Sequence, residues 1–252
     1  DPVGLHHKIS ELAKQDVKYL AIEASSHGLA QYRLDGVNIS YAAFTNLSRD
    51  HLDYHASMAE YLAAKARLFS EVMPSDGVAV LNADAPEFRS LAAICSGRGQ
   101  SIISYGLQQG DIRCETIAAT SSGFDLEIFA LGVKEKVSLP LIGHFQISNA
   151  LCAAGLVLAS GEDTSNVLQT LSGLEGAPGR LQKIEGHPKG AGVYIDYAHT
   201  PDALETVLKA LRPHATGNLS VVFGCGGDRD KGKRPEMGQV AQALADKIII
   251  TD

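Results

Sequence analysis

The chain has 252 residues, of which 45% are apolar and 20% are charged, and this composition suits a soluble globular protein with one large domain or, as we favour, two smaller ones. The net charge of −7 and the isoelectric point near 5.7 exclude a general basic surface for nucleic acid or an anionic membrane, so any recognition of phosphate must be local. Apolar runs fall short of the roughly 18 residues of a membrane-spanning helix, and the first residues show no secretory signal pattern. The cysteines form no C-x-x-C pair. We therefore expect a cytoplasmic protein with reduced thiols, no membrane insertion and no nucleic-acid partner.

Helical and extended patterns alternate over the first hundred residues. In chain order the predicted elements are helix 5–15, strands 17–26 and 40–48, helix 58–69, strand 76–84 and helix 85–96. Buried strands separated by helices of this length predict a mostly parallel sheet whose two faces are covered by helices.

The remaining segments change character twice. Residues 101–140 hold four short β-rich segments joined by glycine or polar turns, which predict a small antiparallel sheet attached to the main one. Two helices follow, and then glycine and proline cluster in residues 175–183, where we place the domain boundary, giving domains 1–179 and 180–252. Residues 191–251 form a second βαβαβ pattern of Rossmann type. The predicted fold class is α/β, with a mostly parallel sheet followed by a partial Rossmann-like domain.

The helix over residues 58–69 carries a lysine on its apolar face. Because a helix repeats every 3.6 residues, the positions that share a face with Lys65 are Met58, Tyr61, Leu62, Leu68 and Phe69. A buried ammonium is costly, so such a lysine loses its proton, pairs with an anion or extends its stem to solvent. A fourth alternative is a carbamate, formed when the neutral amine takes up carbon dioxide, which is an oxygen ligand suited to Mg²⁺.

Two further candidate residues follow predicted strands. Glu23 lies at the carboxyl end of the strand over residues 17–26, and His51 follows the strand over residues 40–48. In open α/β sheets ligands bind outside these strand ends, so both side chains could reach the same edge of the sheet. Each also has an ordinary alternative, since Glu23 could be an exposed loop carboxylate and His51 a turn or core histidine.

Residues 227–234, with the sequence GDRDKGKR, nearly match the phosphate-binding pattern G-x-x-x-x-G-K-[ST]. Arg234 stands where the pattern requires a hydroxyl that binds the metal, so we reject this segment as a phosphate-binding loop. Without further information the segment would be a charged surface cluster.

Five segments together resemble the Mur ligase family in order and spacing, and the resemblance runs through essentially the whole chain. They are SSHGLAQYR (25–33), FTNLSRDHLDYH (44–55), YLAAKARLF (61–69), DYAHTPDALE (196–205) and FGCGGDRDKGKRPEMG (223–238). The resemblance implies an ATP-dependent ligase that adds meso-diaminopimelate to UDP-N-acetylmuramoyl-L-alanyl-D-glutamate (UDP-MurNAc-L-Ala-D-Glu) in peptidoglycan synthesis, through an acyl phosphate. We expect such a protein to be a monomer.

The resemblance also implies roles for the candidate residues. The lysine that matches Lys65 is carbamylated in the family, and the residues that match Glu23 and His51 join it around Mg²⁺. Positions that match contacts to the UDP-sugar peptide are Ser25, Gln31 and Arg33. Without the family, Gln31 and Arg33 would be read as a solvated loop. Arg229 matches a contact to the incoming diamino acid, whose carboxylate a guanidinium can bind with two hydrogen bonds.

Nucleotide contacts are implied at three other positions. Asn149 matches a residue near adenine, Asp196 matches the ribose-binding aspartate, and Arg180 matches an arginine that reaches the phosphates of ATP and acts in catalysis. The alternatives are a helix-start residue, a capping residue and a solvated linker arginine. Gln146 stands where the family usually has asparagine, and because its longer side chain displaces the amide we leave it out of the predicted site.

Two elements of the family pattern do not occur in this sequence. The family's phosphate-binding loop and the threonine pair that contacts the UDP-sugar would precede Asp1, and its D-N-P-R motif would follow Asp252. We therefore expect this chain to be a fragment that is inactive alone. Competing interpretations are a lysine-adding enzyme, a sister ligase such as another Mur enzyme or folylpolyglutamate synthetase, and a non-catalytic nucleotide-binding module.

Overall fold

The computed structural model describes residues 2–48, 54–120, 122–225 and 232–251. The chain divides into two compact units. The first comprises Asp1–Cys114, Phe129–Val133 and Leu151–Val167, and the second comprises Glu115–Ile128, Lys134–Ala150 and Leu168–Asp252. Each unit is described by itself below.

Helices and strands alternate along much of the chain. The helices are α1 (Pro2–Lys14), α2 (Ser26–Ala30), α3 (Met58–Arg67), α4 (Phe88–Gly97), α5 (His144–Ala159), α6 (Thr164–Thr170), α7 (Pro201–Leu211) and α8 (Lys233–Leu244). The strands are β1 (Tyr41–Phe44), β2 (Val78–Asn82), β3 (Ser101–Gly106), β4 (Ile112–Thr120), β5 (Gly123–Ala130), β6 (Val133–Leu139), β7 (Gln182–Ile184), β8 (Val193–Ile195), β9 (Ser220–Gly224) and β10 (Lys247–Thr251). This order confirms the predicted α/β class.

The first unit is built on parallel strands. β1 pairs with β2, and β2 pairs with β3, both in parallel register. Three successive residues of β2, Ala79, Val80 and Leu81, have no exposed surface. A strand whose consecutive side chains are all buried must be covered on both faces, as the sequence predicted for a parallel sheet.

The six strands β1 to β6 form one sheet in chain order. β4 starts parallel to β3, with Tyr105 opposite Ile112. β5 and β6 are joined by two residues, a connection that can link only antiparallel neighbours. The predicted antiparallel strands are therefore present, but they continue the main sheet, and β3 belongs to its parallel part because its register with β2 is parallel.

One predicted strand is wrong. Residues 17–25 are irregular, and the side chains of Tyr19, Leu20 and Ile22 are exposed. A strand needs a neighbour whose backbone completes its hydrogen bonds, and this apolar run has none among the described residues. The apolar pattern predicted that these side chains would be buried, but it contained no information about a pairing partner.

Capping fixes both ends of α3. The Ser57 hydroxyl accepts a hydrogen bond from the Glu60 backbone N–H, and the Glu60 carboxylate accepts one from the Ala56 N–H. This reciprocal arrangement is a form of capping box. The helix then runs into a π turn (Leu68–Val72), which the Met73 N–H closes by donating to the Leu68 carbonyl.

Two side chains that follow α4 donate hydrogen bonds to carbonyls within the π turn and just after it. The buried Gln100 amide donates to the carbonyls of Phe69, Met73 and Pro74 at 2.9, 3.1 and 3.2 Å. Arg98 donates to the carbonyls of Ser70 and Met73. These bonds matter because buried carbonyls without a partner are costly.

The second unit contains two small sheets. β7 and β8 pair antiparallel, and β9 and β10 pair parallel. α7 begins at the capping residue Thr200 with Pro201 in its first turn. A core of apolar residues joins α7, α8 and β9, and comprises Leu204, Leu208, Leu219, Met237 and Ala241. The βαβαβ order of the predicted Rossmann-like region is confirmed, although β8 pairs with β7.

No helix in the described parts of the chain combines the length and apolar character needed to cross a bilayer.

Candidate active site

Lys65 lies on the buried face of α3, as the helical spacing predicted. Tyr61, Leu68 and Phe69 on the same face are 6%, 7% and 1% exposed, and Lys65 is partly buried among them. Its Nζ atom lies 5.3 Å from the centroid of the Tyr61 ring. Burial lowers the pKa of the Lys65 ammonium, and the nearby Glu23 carboxylate opposes this by raising it. Lys65 is thus biased toward the neutral amine.

Glu23 occupies the irregular segment before α2 and is exposed. Its carboxylate is near enough to raise the pKa of Lys65 electrostatically, so these two predicted metal ligands lie in the same neighbourhood. His51 lies outside the described residues. Within the parts of the chain that are described, no group of three His, Cys, Asp or Glu side chains could hold a metal ion. The magnesium site therefore stays a prediction.

The chemistry of these two side chains fits Mg²⁺ under one condition. Mg²⁺ prefers oxygen ligands, which Glu23 supplies and an unmodified lysine amine does not. A carbamate on Lys65 would supply oxygen ligands at the end of a long arm. Because burial favours the neutral amine, which is the form that reacts with carbon dioxide, the environment of Lys65 suits this modification.

The predicted substrate residues lie just before and just after α2. Ser25 caps this five-residue helix, and its hydroxyl accepts a hydrogen bond of 3.1 Å from the Gly28 N–H. The Gln31 amide donates to the Tyr54 hydroxyl at 3.1 Å and accepts a hydrogen bond from Arg33. Gln31 and Arg33 are therefore held together at the surface. The Ser25 hydroxyl still has its own proton to donate to a ligand.

Arg67 was not singled out by sequence reasoning, yet it anchors the segment after α2. Its side chain is only 12% exposed and donates to the Leu29 carbonyl, to Asp35 and to Glu71. Hydrogen bonding to Glu71 raises the pKa of Arg67, which keeps the guanidinium charged. The spacing of Arg67 and Glu71, four residues apart on a helix, was the available signal.

His55 was also missed. Its ring is 3% exposed, and its Nε2 atom lies 3.0 Å from the hydroxyl of Ser26, which is 2% exposed. The ring stacks on Tyr61, with centroids 5.1 Å apart and an interplanar angle of 16°. The only sequence signal was the aromatic and histidine-rich run that precedes α3.

A second set of predicted residues lies in the second unit. The Asn149 amide donates to the Gln146 side chain at 3.1 Å, and the Gln146 amide donates to the Arg180 carbonyl at 3.2 Å. The sequence prediction left Gln146 out, but it is 7% exposed and connects two predicted nucleotide residues. The lengthened side chain thus spans the gap from α5 to the residues before β7.

Asp196 follows β8, as predicted, and organises the backbone beside Arg180. One carboxylate oxygen accepts a 2.7 Å hydrogen bond from the Leu181 N–H, and the other accepts a 2.8 Å bond from the Ala198 N–H. Each oxygen keeps a second lone pair for a ligand hydroxyl. The Arg180 guanidinium lies 5.4 Å from the Tyr197 ring centroid. Arg229 lies outside the described residues.

Two family models match the chain. Residues 1–157 match the Mur ligase middle domain, and residues 179–252 match the Mur ligase glutamate ligase domain. The chain therefore belongs to the Mur ligase family, as its motifs indicated.

Individual proteins that are similar to this chain include diaminopimelate ligases. The chain is 53% identical over 244 residues to a UDP-N-acetylmuramoyl-L-alanyl-D-glutamate–2,6-diaminopimelate ligase of Caulobacter vibrioides, covering 97% of this chain and 50% of that protein. It is 50% identical to the ligase of the same name from Bradyrhizobium diazoefficiens, covering 100% of this chain and 53% of that protein. A solved structure of a ligase of that name aligns with a TM-score of 0.78 at 38% identity, covering 99% of this chain and 51% of the other. The chain spans about half the length of the curated relatives that it matches.

Proposed function

We propose that the protein carrying this sequence is an ATP-dependent ligase that joins meso-diaminopimelate to UDP-MurNAc-L-Ala-D-Glu. One observation carries the proposal. Glu23 acts electrostatically on Lys65 and lies in the segment that leads into Ser25, Gln31 and Arg33, in a chain that resembles diaminopimelate ligases along its whole length. The same proposal includes a domain boundary between residues 179 and 180, a cytoplasmic location and a monomeric state.

The metal site would form from Glu23, His51 and a carbamate on Lys65. The neutral Lys65 amine attacks carbon dioxide, forms the N–C bond and releases one proton, which converts the neutral side chain into a carbamate anion. Partial burial supports this step because it favours the unprotonated amine. Mg²⁺, when bound there, would offset negative charge on the transferring phosphoryl oxygens.

Substrate positioning would fall to the surface residues around α2. Arg33 is held by Gln31 and can direct its remaining N–H groups to carboxylate or phosphate oxygens of the UDP-sugar peptide. The Ser25 hydroxyl donates to the same ligand, and Arg229 binds a carboxylate of diaminopimelate. Together they hold the terminal glutamate carboxylate in line with the γ-phosphoryl group, and positioning of this kind accounts for much of the catalysis.

Nucleotide binding would use the residues of the second unit. Asn149 contacts the base and Asp196 the ribose, while Arg180 binds the phosphates and stabilises charge in the transition state. The substrate carboxylate attacks the γ-phosphorus and releases ADP, which gives an acyl phosphate. The amine of diaminopimelate then displaces inorganic phosphate, loses a proton and forms the amide.

The experiment compares variants of the complete ligase polypeptide that contains this sequence. We expect Lys65→Ala and Glu23→Gln to lower the rate of ADP release by about 100-fold or more, because each removes a metal ligand. Lys136→Ala is the matched control, since Lys136 is exposed on β6. Intact-mass measurement should find one added carbon dioxide that is lost in Lys65→Ala.

Choice of acceptor separates the proposal from its rivals. The wild-type protein should form product with meso-diaminopimelate and far less with L-lysine. Efficient turnover of L-lysine would favour the lysine-adding alternative, and product with a different UDP-sugar peptide or a folate would favour a sister ligase. Binding of ATP without any product from the complete polypeptide would favour the non-catalytic module.

A further inference from the structure

The His55 imidazole lies where two metal-ligand segments meet. Its Nε2 atom is 3.0 Å from the Ser26 hydroxyl, and Ser26 follows Glu23 by three residues in the same irregular segment and helix start. Its ring also stacks on Tyr61, which lies one helical turn before Lys65 on α3. His55 thus contacts the segment of Glu23 and the helix of Lys65 at once.

Tyr61 extends this arrangement to the lysine itself. Its ring centroid lies 5.1 Å from the centroid of His55 and 5.3 Å from the Lys65 Nζ atom. One aromatic ring therefore contacts both the imidazole and the amine. Any shift of His55 that moves Tyr61 also changes the surroundings of Lys65.

Burial makes loss of the Ser26–His55 hydrogen bond costly. Both residues are almost completely buried, at 2% and 3% exposure, so neither polar group can replace a lost partner with water. Among the described residues, the rings of His27 and Tyr54 also lie near His55, with centroids 5.6 and 4.9 Å away. This ring cluster restricts rotation of the imidazole, so the hydrogen bond fixes one placement of the two segments.

We propose that His55 is a positioning residue which, through Ser26 and Tyr61, sets the separation of Glu23 and Lys65 and thereby the affinity of the site for a divalent ion. The inference rests on the proposed metal site, and it adds to that site a residue that touches neither metal nor substrate. Partners of this kind around metal ligands typically change metal affinity by about 10- to 100-fold when they are removed.

The test measures binding of Mn²⁺ alone, by electron paramagnetic resonance, to the complete ligase polypeptide. Ser26→Ala removes only the hydroxyl, and His55→Phe keeps an aromatic ring while removing the hydrogen bond. We expect each to weaken Mn²⁺ binding about 10-fold. The double variant should be no weaker than the poorer single variant, because both changes break the same bond. His7→Phe is the control, since the His7 side chain is 81% exposed.

Circular dichroism checks that each variant is folded. If His55→Phe does not fold, Ser26→Ala decides, because deletion of one hydroxyl is the smaller change. If the Ser26→Ala protein folds and binds Mn²⁺ with wild-type affinity, the inference about His55 is overturned, while the proposed metal site is unaffected. If the Glu23→Gln and Lys65→Ala variants bind Mn²⁺ as tightly as the wild-type protein, the proposed metal site is overturned, and the inference about His55 falls with it.

Discussion

The Arg67 guanidinium lies over the Tyr32 ring, with its central carbon 4.1 Å from the ring centroid. Tyr32 has a positive φ of 58°, so the backbone at this point is in a left-handed conformation that few non-glycine residues adopt. Arg67 also donates to the Leu29 carbonyl and to Asp35 on the same segment. A single side chain of α3 therefore holds the turn that follows α2.

We expect Arg67→Ala to lower the free energy of unfolding by about 2 kcal/mol, because it removes the charged donor to the Leu29 carbonyl, which keeps only backbone donors such as the Tyr32 N–H, and removes the stacking on Tyr32. The ion pairs add little, since the Asp35 and Glu71 side chains are 43% and 54% exposed. Urea unfolding measures the change. Arg67→Lys should recover less than half of it, because lysine lacks the planar fork.

The control for Arg67 is Lys209→Ala on α7, which breaks an exposed ion pair with Glu205. Its effect should stay within about 0.5 kcal/mol. Equal effects of Arg67→Ala and Lys209→Ala would show that Arg67 is an ordinary surface charge.

Gln100 offers a test of the bonds beyond the π turn. Gln100→Leu keeps the approximate volume but leaves the carbonyls of Phe69, Met73 and Pro74 without this donor. We expect a loss of about 1–2 kcal/mol in unfolding free energy, because the Phe69 carbonyl loses this donor while the Met73 and Pro74 carbonyls keep Arg98 and the Gly77 N–H. Gln108→Leu at an exposed position is the matched control, and thermal unfolding of the pair should give a clear difference in midpoint. A midpoint for Gln100→Leu equal to that of the control would contradict this account.

Two helical glycines should respond in opposite directions to alanine. A Cβ atom on Gly155 in α5 would lie 2.7 Å from a methyl carbon of Val80, which is stiff and fully buried, whereas a Cβ on Gly97 at the end of α4 would meet nothing within 4 Å. Overpacking costs about 1–3 kcal/mol, which exceeds the gain of about 0.5–1 kcal/mol from helix propensity. Gly155→Ala should therefore destabilise by about 1 kcal/mol and Gly97→Ala stabilise by about 0.5 kcal/mol in chemical denaturation. Stabilisation by both would mean that α5 can move away from β2.

The buried thiols should be inert under conditions that label exposed cysteines. Burial raises the pKa of Cys95 to about 11 and that of Cys114 to about 12, and it also raises the pKa of Cys152. A raised thiol pKa favours the neutral form at all lower pH, so at pH 8 roughly one Cys95 thiol in a thousand would be the reactive thiolate. Iodoacetamide should label the half-buried Cys225 first, as peptide mass mapping can determine.

At pH 8 the remaining three cysteines should react only after addition of denaturant. Their labelling should also rise as the pH increases toward 11. Labelling of Cys95 as fast as that of Cys225 in the folded protein at pH 8 would contradict the burial of Cys95.

Local patterns predicted much of the fold and part of the site. The buried run of β2 and the stripe that places Lys65 on α3 depend on residues close together in sequence, which hydrophobic periodicity reports. The strand predicted over residues 17–26 failed because its formation depends on a pairing partner, which the run itself does not specify. Periodicity reports burial and not hydrogen-bond partners.

The contacts that organise the site could not be predicted in this way. Ser26 and His55 are 29 positions apart, and Arg67 and Leu29 are 38 apart. Such pairs meet only after the sheet has formed, and one partner in the second pair is a backbone carbonyl that no side-chain pattern records. Family resemblance supplied Arg33 and the metal-binding role of Glu23, because it carries knowledge of ligands, which physical patterns alone lack.

The π turn after α3 should allow one residue to be lost without a shift of the neighbouring elements. A π turn holds one residue more than an α turn, which corresponds to about 100° of helical rotation. Deleting one residue from Leu68–Val72 could convert it to an α turn while β2 and the preceding turns of α3 stay in register. Loss of one residue there would be absorbed locally, and the orientation of Lys65 would be preserved.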